Sequence, residues 1–504
     1  MRTWWSVVVK ELREAYHGGK MWAGLLLVLL ITPLTTAALL QQHEERFHEF
    51  ESRRSLLDFP VSTGRPYSDL KFHVLREPSV YTLFNAGIEG DFPYQYSLPR
   101  WTFVDPTSAQ VFDRPLFSVL PTRDLRFVFE MVLPLLGVVL SFALIAGERE
   151  AGTLPLLCSH AVYRSTLLLG KVGAGALVLL VLVAVAHLAV TVVLLMWGVP
   201  WPRDFPSFLA LHFLASALWS LFFFLAGVLA SVWVTESNQA AIAMLVVWAS
   251  IVVVVPTLLP SVVTSASRYV SEQEVYENTW PVMAPFFEAY DEFLDGLDVA
   301  SPRGLARFFA LEPVWSDVAA ALARPGSGMR VLVHSQGVVA ISGADEEQFR
   351  MLEERLPRLL ETQMNVGRAV FELRWRRFEA LREEWERFVR WFSWFPVVAF
   401  DALTARLAET DAEAFRDFVV EANLQKTEFF EEMEGRTDFY TRRYFTDVSS
   451  GQDVEGVSRP PLWVAEPRRG STWPRCTEAW LVLCGEDLLI LLAALALFAR
   501  REVI

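Results

Sequence analysis

Cysteine is scarce: three residues in a chain of 504. Cys476 and Cys484 stand eight apart at the start of an apolar run, about 12 Å along a helix and too far to bridge. Cys158 belongs to a different segment. No cysteine or histidine group has ligand spacing, so neither a disulfide framework nor a metal cluster is expected. Positive charge is also in deficit. A net charge of −14 argues against a nucleic-acid partner, which requires a basic face. No Gly-x-x-x-x-Gly-Lys-Ser/Thr occurs anywhere, so the chain lacks the loop that cradles nucleotide phosphates and is not an ATPase by that route. A cleavable leader is not expected, because the first apolar run is too long and has no small-residue cleavage site.

Apolar residues are abundant and clustered. They make up 53% of the chain, with a mean hydropathy of +0.30, too high for one soluble domain of this length. Six runs approach or exceed the roughly 20 residues that cross a bilayer. These are Met21–Leu40, Phe127–Ala146, three between residues 172 and 263 (Val172–Trp197, Phe208–Val234, Ala240–Val263), and Ala479–Ala499. The predicted fold is therefore an all-α polytopic membrane protein with six transmembrane helices and a large, mainly helical extracytoplasmic domain.

Residues 1–20 set Trp5, Val8, Val9, Leu12 and Tyr16 at helical spacing against Lys10, Glu11, Arg13 and Glu14. That pattern reads as a helix in the headgroup plane. Gln41–Leu57 keeps a helical pattern but turns polar, as a stalk would. The rest of the outer segment 41–126 is rich in Pro, Gly, Tyr and Phe without periodicity, and is expected to be ordered but irregular. The second and third spans are joined by Gly147–Lys171, which carries Arg149, Arg164 and Lys171. The positive-inside bias puts this loop in the cytoplasm. Thr235–Gln239 is a second cytoplasmic turn, Pro200–Pro206 an outer one, and Arg500 and Arg501 begin a cytoplasmic tail, 500–504. Both termini fall inside.

Residues 264–475 carry 36 acidic residues against 25 basic ones, most of the net negative charge, and lie outside by parity. Helical patterns cover Ser271–Leu297, Asp345–Trp394 (bent or broken near Pro357), Asp401–Leu407 and Asp411–Met433. Met329–Val333 and Val338–Ile341 suggest a small β-hairpin. Pro460–Pro474 is a Pro-, Trp- and Arg-rich approach to the membrane. Val333-His334-Ser335-Gln336-Gly337 approximates a hydrolase nucleophile elbow. The first glycine of that motif is replaced by Val333, however, and the residues after it are β-branched, so a hairpin turn is the better reading. Glu130, Glu486 and Asp487 are carboxylates in or near spans, the last two within two turns of the outer end of the sixth. Each either lies at an interface or lines a path. His187 and His212 read as helix–helix hydrogen-bonding residues.

The loop 147–171 is more than a connector. Its centre, Leu154–Cys158, is apolar again after Gly152-Thr153, which is the composition of a short amphipathic helix docked on a soluble partner. Glu150, Gly152, Thr153, Leu156, Leu157, Ser159, Arg164, Gly170 and Lys171 together resemble the segment between the second and third spans of type-2 ABC exporter permeases, departing from it at Ala161, where the family usually has Pro. Gly227, Ser231, Ala240, Trp248 and Pro256 resemble that family's fourth and fifth spans. Pro396, Leu407, Ala408, Thr410 and Phe418 resemble the outer segment of its copper-enzyme-maturation and gliding-type members, with Glu409 in place of the usual glycine.

The resemblance implies an elbow helix at the N-terminus and a coupling helix in the loop. Glu148, Arg149, Glu150, Gly152, Thr153, Leu154, Leu156, Leu157, Arg164 and Lys171 would then meet a separate ABC ATPase. It implies two permeases (identical or paralogous) and two ATPases in a bacterial inner membrane, no cofactor bound by this chain, and ATP with Mg in the partner subunit. A periplasmic protein is a further possible partner. Two functions are compatible: outward movement of a substrate, or mechanotransmission to the outer domain or a periplasmic partner without transport.

Overall fold

A computed structural model describes residues 2–58, 67–88, 93–105, 124–159, 163–256, 258, 272–294, 330–334, 337–342, 346–441, 444, 460–465 and 473–500. Six helices are long and apolar enough to cross a bilayer. Helix α1 (Arg2–His17) breaks at Gly18 into α2 (Gly19–Leu57). A π-turn, Phe127–Val132, leads into α3 (Leu133–Ser141), which unwinds over residues 142–145 before the short α4 (Ala146–Glu150) and α5 (Leu154–Ser159). Then come α6 (Arg164–Trp197), α7 (Phe205–Trp233) and α8 (Ser237–Ala249, continued as a π-turn through Val254). Outside the bundle lie α9 (Glu272–Leu294), α10 (Glu346–Phe392), α11 (Pro396–Leu407) and α12 (Ala412–Glu434), before α13 (Trp473–Arg500) returns through it. The all-α polytopic class holds. The expected path of the fifth span beyond residue 258 and the residues Ser335, Gln336 and Arg501 lie outside the described residues.

Helix α7 is the centre of the bundle, packed against α3, α6, α8, α11 and α13. Small residues let it be so. A Cβ on Gly227 would fall 2.0 Å from Ser141 Oγ, and one on Gly137 would fall 2.8 Å from the Ser220 carbonyl, so α3 and α7 approach nearly backbone to backbone. A Cβ on Gly175 of α6 would strike the ring of Phe224. Two apolar clusters are stacked along this axis. One, at the end where the large domain rises, includes Phe129, Phe205, Trp219 and Phe223. The other, at the opposite end near residues 142–163, includes Leu154, Phe224, Val228 and Phe498. These are called the domain end and the loop end.

At 39 residues, α2 is about 58 Å long and overruns the roughly 30 Å hydrocarbon layer. Its polar extension leans on the large domain, where Arg46 donates to Tyr94 Oη at 2.9 Å and Arg53 to Gln95. Pro357 neither breaks nor ends α10, which runs through it.

The segment expected to be irregular contains order of a kind the sequence did not announce. β1 (Lys71–Arg76) pairs antiparallel with β2 (Gln95–Pro99) and parallel with β5 (Leu462–Ala465), in the order β2-β1-β5. Phe72 and Val74 point from β1 into a core shared with Phe286 and Phe293 of α9, Leu356 and Leu360 of α10, and Phe415, Val419 and Phe429 of α12. A separate hairpin joins β3 (Arg330–His334) to β4 (Gly337–Ser342). Strand β3 is therefore followed by a second strand, whereas a nucleophile elbow leads from a strand into a helix.

Candidate functional site

The loop-end segment is built by a chain of local necessities. After α3 ends, the N–H groups of Ile145 and Ala146 both donate to Ser231 Oγ at 2.9 Å, so α7 holds the restart of the helix. Gly152 has φ +68°, in the left-handed region where a side chain is strained. That reversal lets α5 fold back onto the bundle. Thr153 opens the new helix, its carbonyl accepting from Leu157 N–H at 3.0 Å, while its hydroxyl donates to Glu148. Leu154 is buried (1% exposed) and Leu157 packs beside it on the loop-end cluster. The other face is open. Leu156 is 66% exposed and Tyr163 84% exposed, with Gly152 and Thr153 also at the surface.

Three neighbours anchor this element. Lys171 of α6 is only 2% exposed, and its ammonium donates to Glu11 of α1 at 2.7 Å and to Glu148 of α4 at 2.9 Å. Glu150 accepts from the Ser237 N–H and hydroxyl, each at 2.6 Å, which fastens α4 to the start of α8. Arg149 donates to the Val234 carbonyl at 2.5 Å. The adjacent Gly170 has its own reason: a Cβ there would stand 2.6 Å from Val7 Cγ1, so α1 crosses α6 at this glycine and at Gly173, which faces Trp4. The structure thus brings together Glu148, Arg149, Glu150, Thr153, Leu154, Leu157 and Lys171. Arg164 is the first residue of α6, and Gly152 and Leu156 are exposed.

Sequence reasoning missed Glu11, Ser231 and Ser237 as parts of this assembly. A lysine that begins an apolar span needs a counter-charge, which is the one signal that points toward Glu11. Glu11, Glu14 and Glu148 lie within ligand reach of one another, but Lys171 fills the space between Glu11 and Glu148 with an ammonium, so their chemistry is that of an ion-pair network.

The other singled-out residues are elsewhere. Glu130 is buried at the domain end and accepts from Arg126 at 2.9 Å; Arg126 also reaches Asp401 of α11 at 3.0 Å. The Glu130 carbonyl, within the π-turn, accepts from Trp219 Nε1 at 3.1 Å. Glu130 is therefore a locked structural carboxylate in this conformation. His187 and His212 sit 3.1 Å apart between α6 and α7. His187 Nδ1 faces the Val183 carbonyl at 2.9 Å, which can only accept, so that nitrogen carries the proton and Nε2 accepts from His212 Nδ1–H. They are a helix–helix pair, as expected. Glu486 and Asp487 are not near the outer end of a span. The sixth helix starts at Trp473, ahead of the apolar run at Ala479, because the exposed Glu478 is tolerated on its polar side, and this places both carboxylates near the middle of the helix.

Two comparisons bear on this assembly. A family model described as "ABC-2 family transporter protein" matches residues 5–503. No curated protein matches the chain.

Proposed function

The chain belongs to the ABC-2 family of transporter permeases, and from that premise we propose that residues 147–171 form the coupling element through which a separate ATP-hydrolysing subunit drives the spans. One observation carries this reading: an element held to the bundle by three helices turns an apolar face, Leu156 with Tyr163, away from it. An exposed leucine beside a left-handed glycine suits a groove on a soluble partner. Glu148, Arg149 and Glu150 then serve two purposes, ending the span and passing displacement of α5 to α6 and α8.

The working assembly in this reading is two permeases, identical or paralogous, with two ATPases that bind ATP and Mg, in a bacterial inner membrane with the loop end cytoplasmic. ATP binding closes the ATPases, the coupling elements move, and the spans rearrange to move a substrate outward. A second reading, mechanotransmission to the outer domain or a periplasmic partner, is favoured by α11. That outer helix buries Val397, Phe400, Leu403 and Leu407 in the domain-end cluster and stacks Phe400 on Trp219 at 5.3 Å, so a movement of α7 is a movement of the outer domain.

Glu150→Ala and Gly152→Pro are expected to lower ATPase-coupled activity while membrane insertion stays normal. The readouts are coupled ATP turnover in reconstituted vesicles and the amount of chain in the membrane fraction. Normal coupled turnover in both variants would remove the coupling assignment.

A further inference from the structure

The buried positions of α13 form one stripe: Cys476, Ala479, Trp480, Leu483, Asp487, Ala494 and Phe498. The spacing is that of a helix face turned to the bundle. Every member but Asp487 is apolar or weakly polar. Asp487 is 6% exposed, and neither carboxylate oxygen has a hydrogen-bond partner among the described residues. It is also deep. It lies 11 residues from Cys476 and 13 from Arg500, about 16 and 20 Å along the axis, within the span Cys476–Arg500. It falls where the domain-end cluster, which includes Leu483, gives way to the loop-end cluster, which includes Ala494. Glu486 beside it buries one carboxylate oxygen, also without a partner.

No cation among the described residues answers this charge. Helix α13 packs against α7, α6 and α11. The ionisable residues there are His212 on α7; Arg164, Lys171 and His187 on α6; and Asp401 and Arg406 on α11. On α13 itself they are Arg475, Cys476, Glu478, Cys484, Glu486 and Arg500. Lys171 is held by Glu11 and Glu148, and His187 and His212 by each other. None of these groups bonds to an Asp487 oxygen. A carboxylate in the middle of a bilayer that meets no protein donor or cation is strongly disfavoured. A carboxylic acid at the same place needs only its own proton.

We propose that Asp487 is a proton-binding site in the membrane interior, with Glu486 as its neighbouring carboxylate. The proton stays on Asp487 while α13 lies against α7. It leaves when a conformational change brings water or a cation to that face, so the site adds a proton step to whatever movement the spans perform. This inference stands apart from the coupling assignment at the loop end.

The test is labelling of the full chain in native membranes with dicyclohexylcarbodiimide, an apolar reagent. It takes the acid's proton on nitrogen and the carboxylate on carbon, with no leaving group. Peptide mass spectrometry then locates the adduct between pH 5.5 and 9, with and without sodium. The expected result is an adduct at Asp487 that declines as pH rises, is indifferent to sodium and is absent from Asp487→Asn. Asp487→Glu, which keeps the acid, retains labelling if the asparagine variant fails to accumulate. No adduct at any pH would overturn the proposal. So would protection by sodium, which would make the site a metal-cation site, or labelling that is independent of pH.

Discussion

Both ends of the bundle hold a cation between two carboxylates, and the two are built differently. At the loop end, Lys171 sits almost fully buried between Glu11 and Glu148. At the domain end, Arg126 sits between Glu130 and Asp401 and remains partly exposed. Around Lys171 the attached element is thin: among the described residues, α5 contributes Leu154 and Leu157 to the loop-end cluster. Around Arg126 the attached element is massive, because α11 inserts a whole apolar face. Asn85, whose amide donates to Thr404 Oγ1 at 2.9 Å and to Asp401 Oδ1 at 3.4 Å, adds a further polar fastening. Charge therefore dominates the attachment at the loop end, and packing matches it at the domain end. An element held by a few directional contacts can be displaced by a partner, whereas an element welded by packing follows its helix.

The sharpest way to break this comparison is to remove one attachment of each kind at each end. Lys171→Met removes a buried ammonium from two partly buried carboxylates and is expected to cost up to about 3 kcal/mol, the low end for broken buried pairs. Leu157→Ala, at a half-buried position, is expected to cost less. At the domain end packing matches charge: Phe400→Ala should cost about 3–5 kcal/mol, as should Arg126→Met, which leaves the buried Glu130 carboxylate without its cation. Thermal unfolding of the four variants in the same detergent gives the ranking. A larger loss for Leu157→Ala than for Lys171→Met would remove the distinction between the ends.

A somewhat smaller effect is expected where the halves join. Gly227→Ala places a methyl against Ser141 Oγ and should cost about 1–3 kcal/mol by overpacking. Ser141→Gly in the same chain should restore much of it. No recovery in the double variant would mean that the α3–α7 approach is not what Gly227 serves.

A pH-dependent effect separates the large domain from the bundle. Lys426 is buried in the large domain, its ammonium 3.8 Å from the Phe103 ring centre and without a hydrogen-bond partner among the described residues. Burial, helped by the positive charges of Arg100 and Arg368, pulls its pKa down to about 7. Below pH 7 both folded and unfolded states hold the proton, and the buried charge carries its full cost. As pH rises from 7 toward 10.5, only the unfolded state keeps the proton, and stability climbs by up to about 1.4 kcal/mol per pH unit. Lys426→Met should therefore stabilise most at pH 6, with the gain shrinking by pH 9. A gain equal at both values would mean that Lys426 is not neutral in the fold.

Much of this architecture was legible in the chain, for identifiable reasons. The six spans were legible because an apolar run of that length has few alternatives. The loop at 147–171 was legible because a polar break with an apolar centre is unusual between two spans. The sheet was not. Val74 pairs with Trp463, far down the chain, and β5 is only four residues long, so no local pattern announces it. The unwinding at 142–145 was hidden inside an uninterrupted apolar run, since its cause, Ser231, lies on another helix. Lys171 was legible as a residue of interest, but Glu11 as its partner was not, because the two meet only when α1 crosses α6 at Gly170.

Affinity purification of the tagged chain from native membranes in mild detergent, with mass spectrometry of what accompanies it, tests the central claim most directly. A stoichiometric ATPase carrying the phosphate-binding loop should accompany the wild-type chain and be lost on Leu156→Asp, with the permease still folded. A folded permease that never carries an ATPase, or one whose ATPase is indifferent to residues 152–157, would contradict the coupling role of this loop.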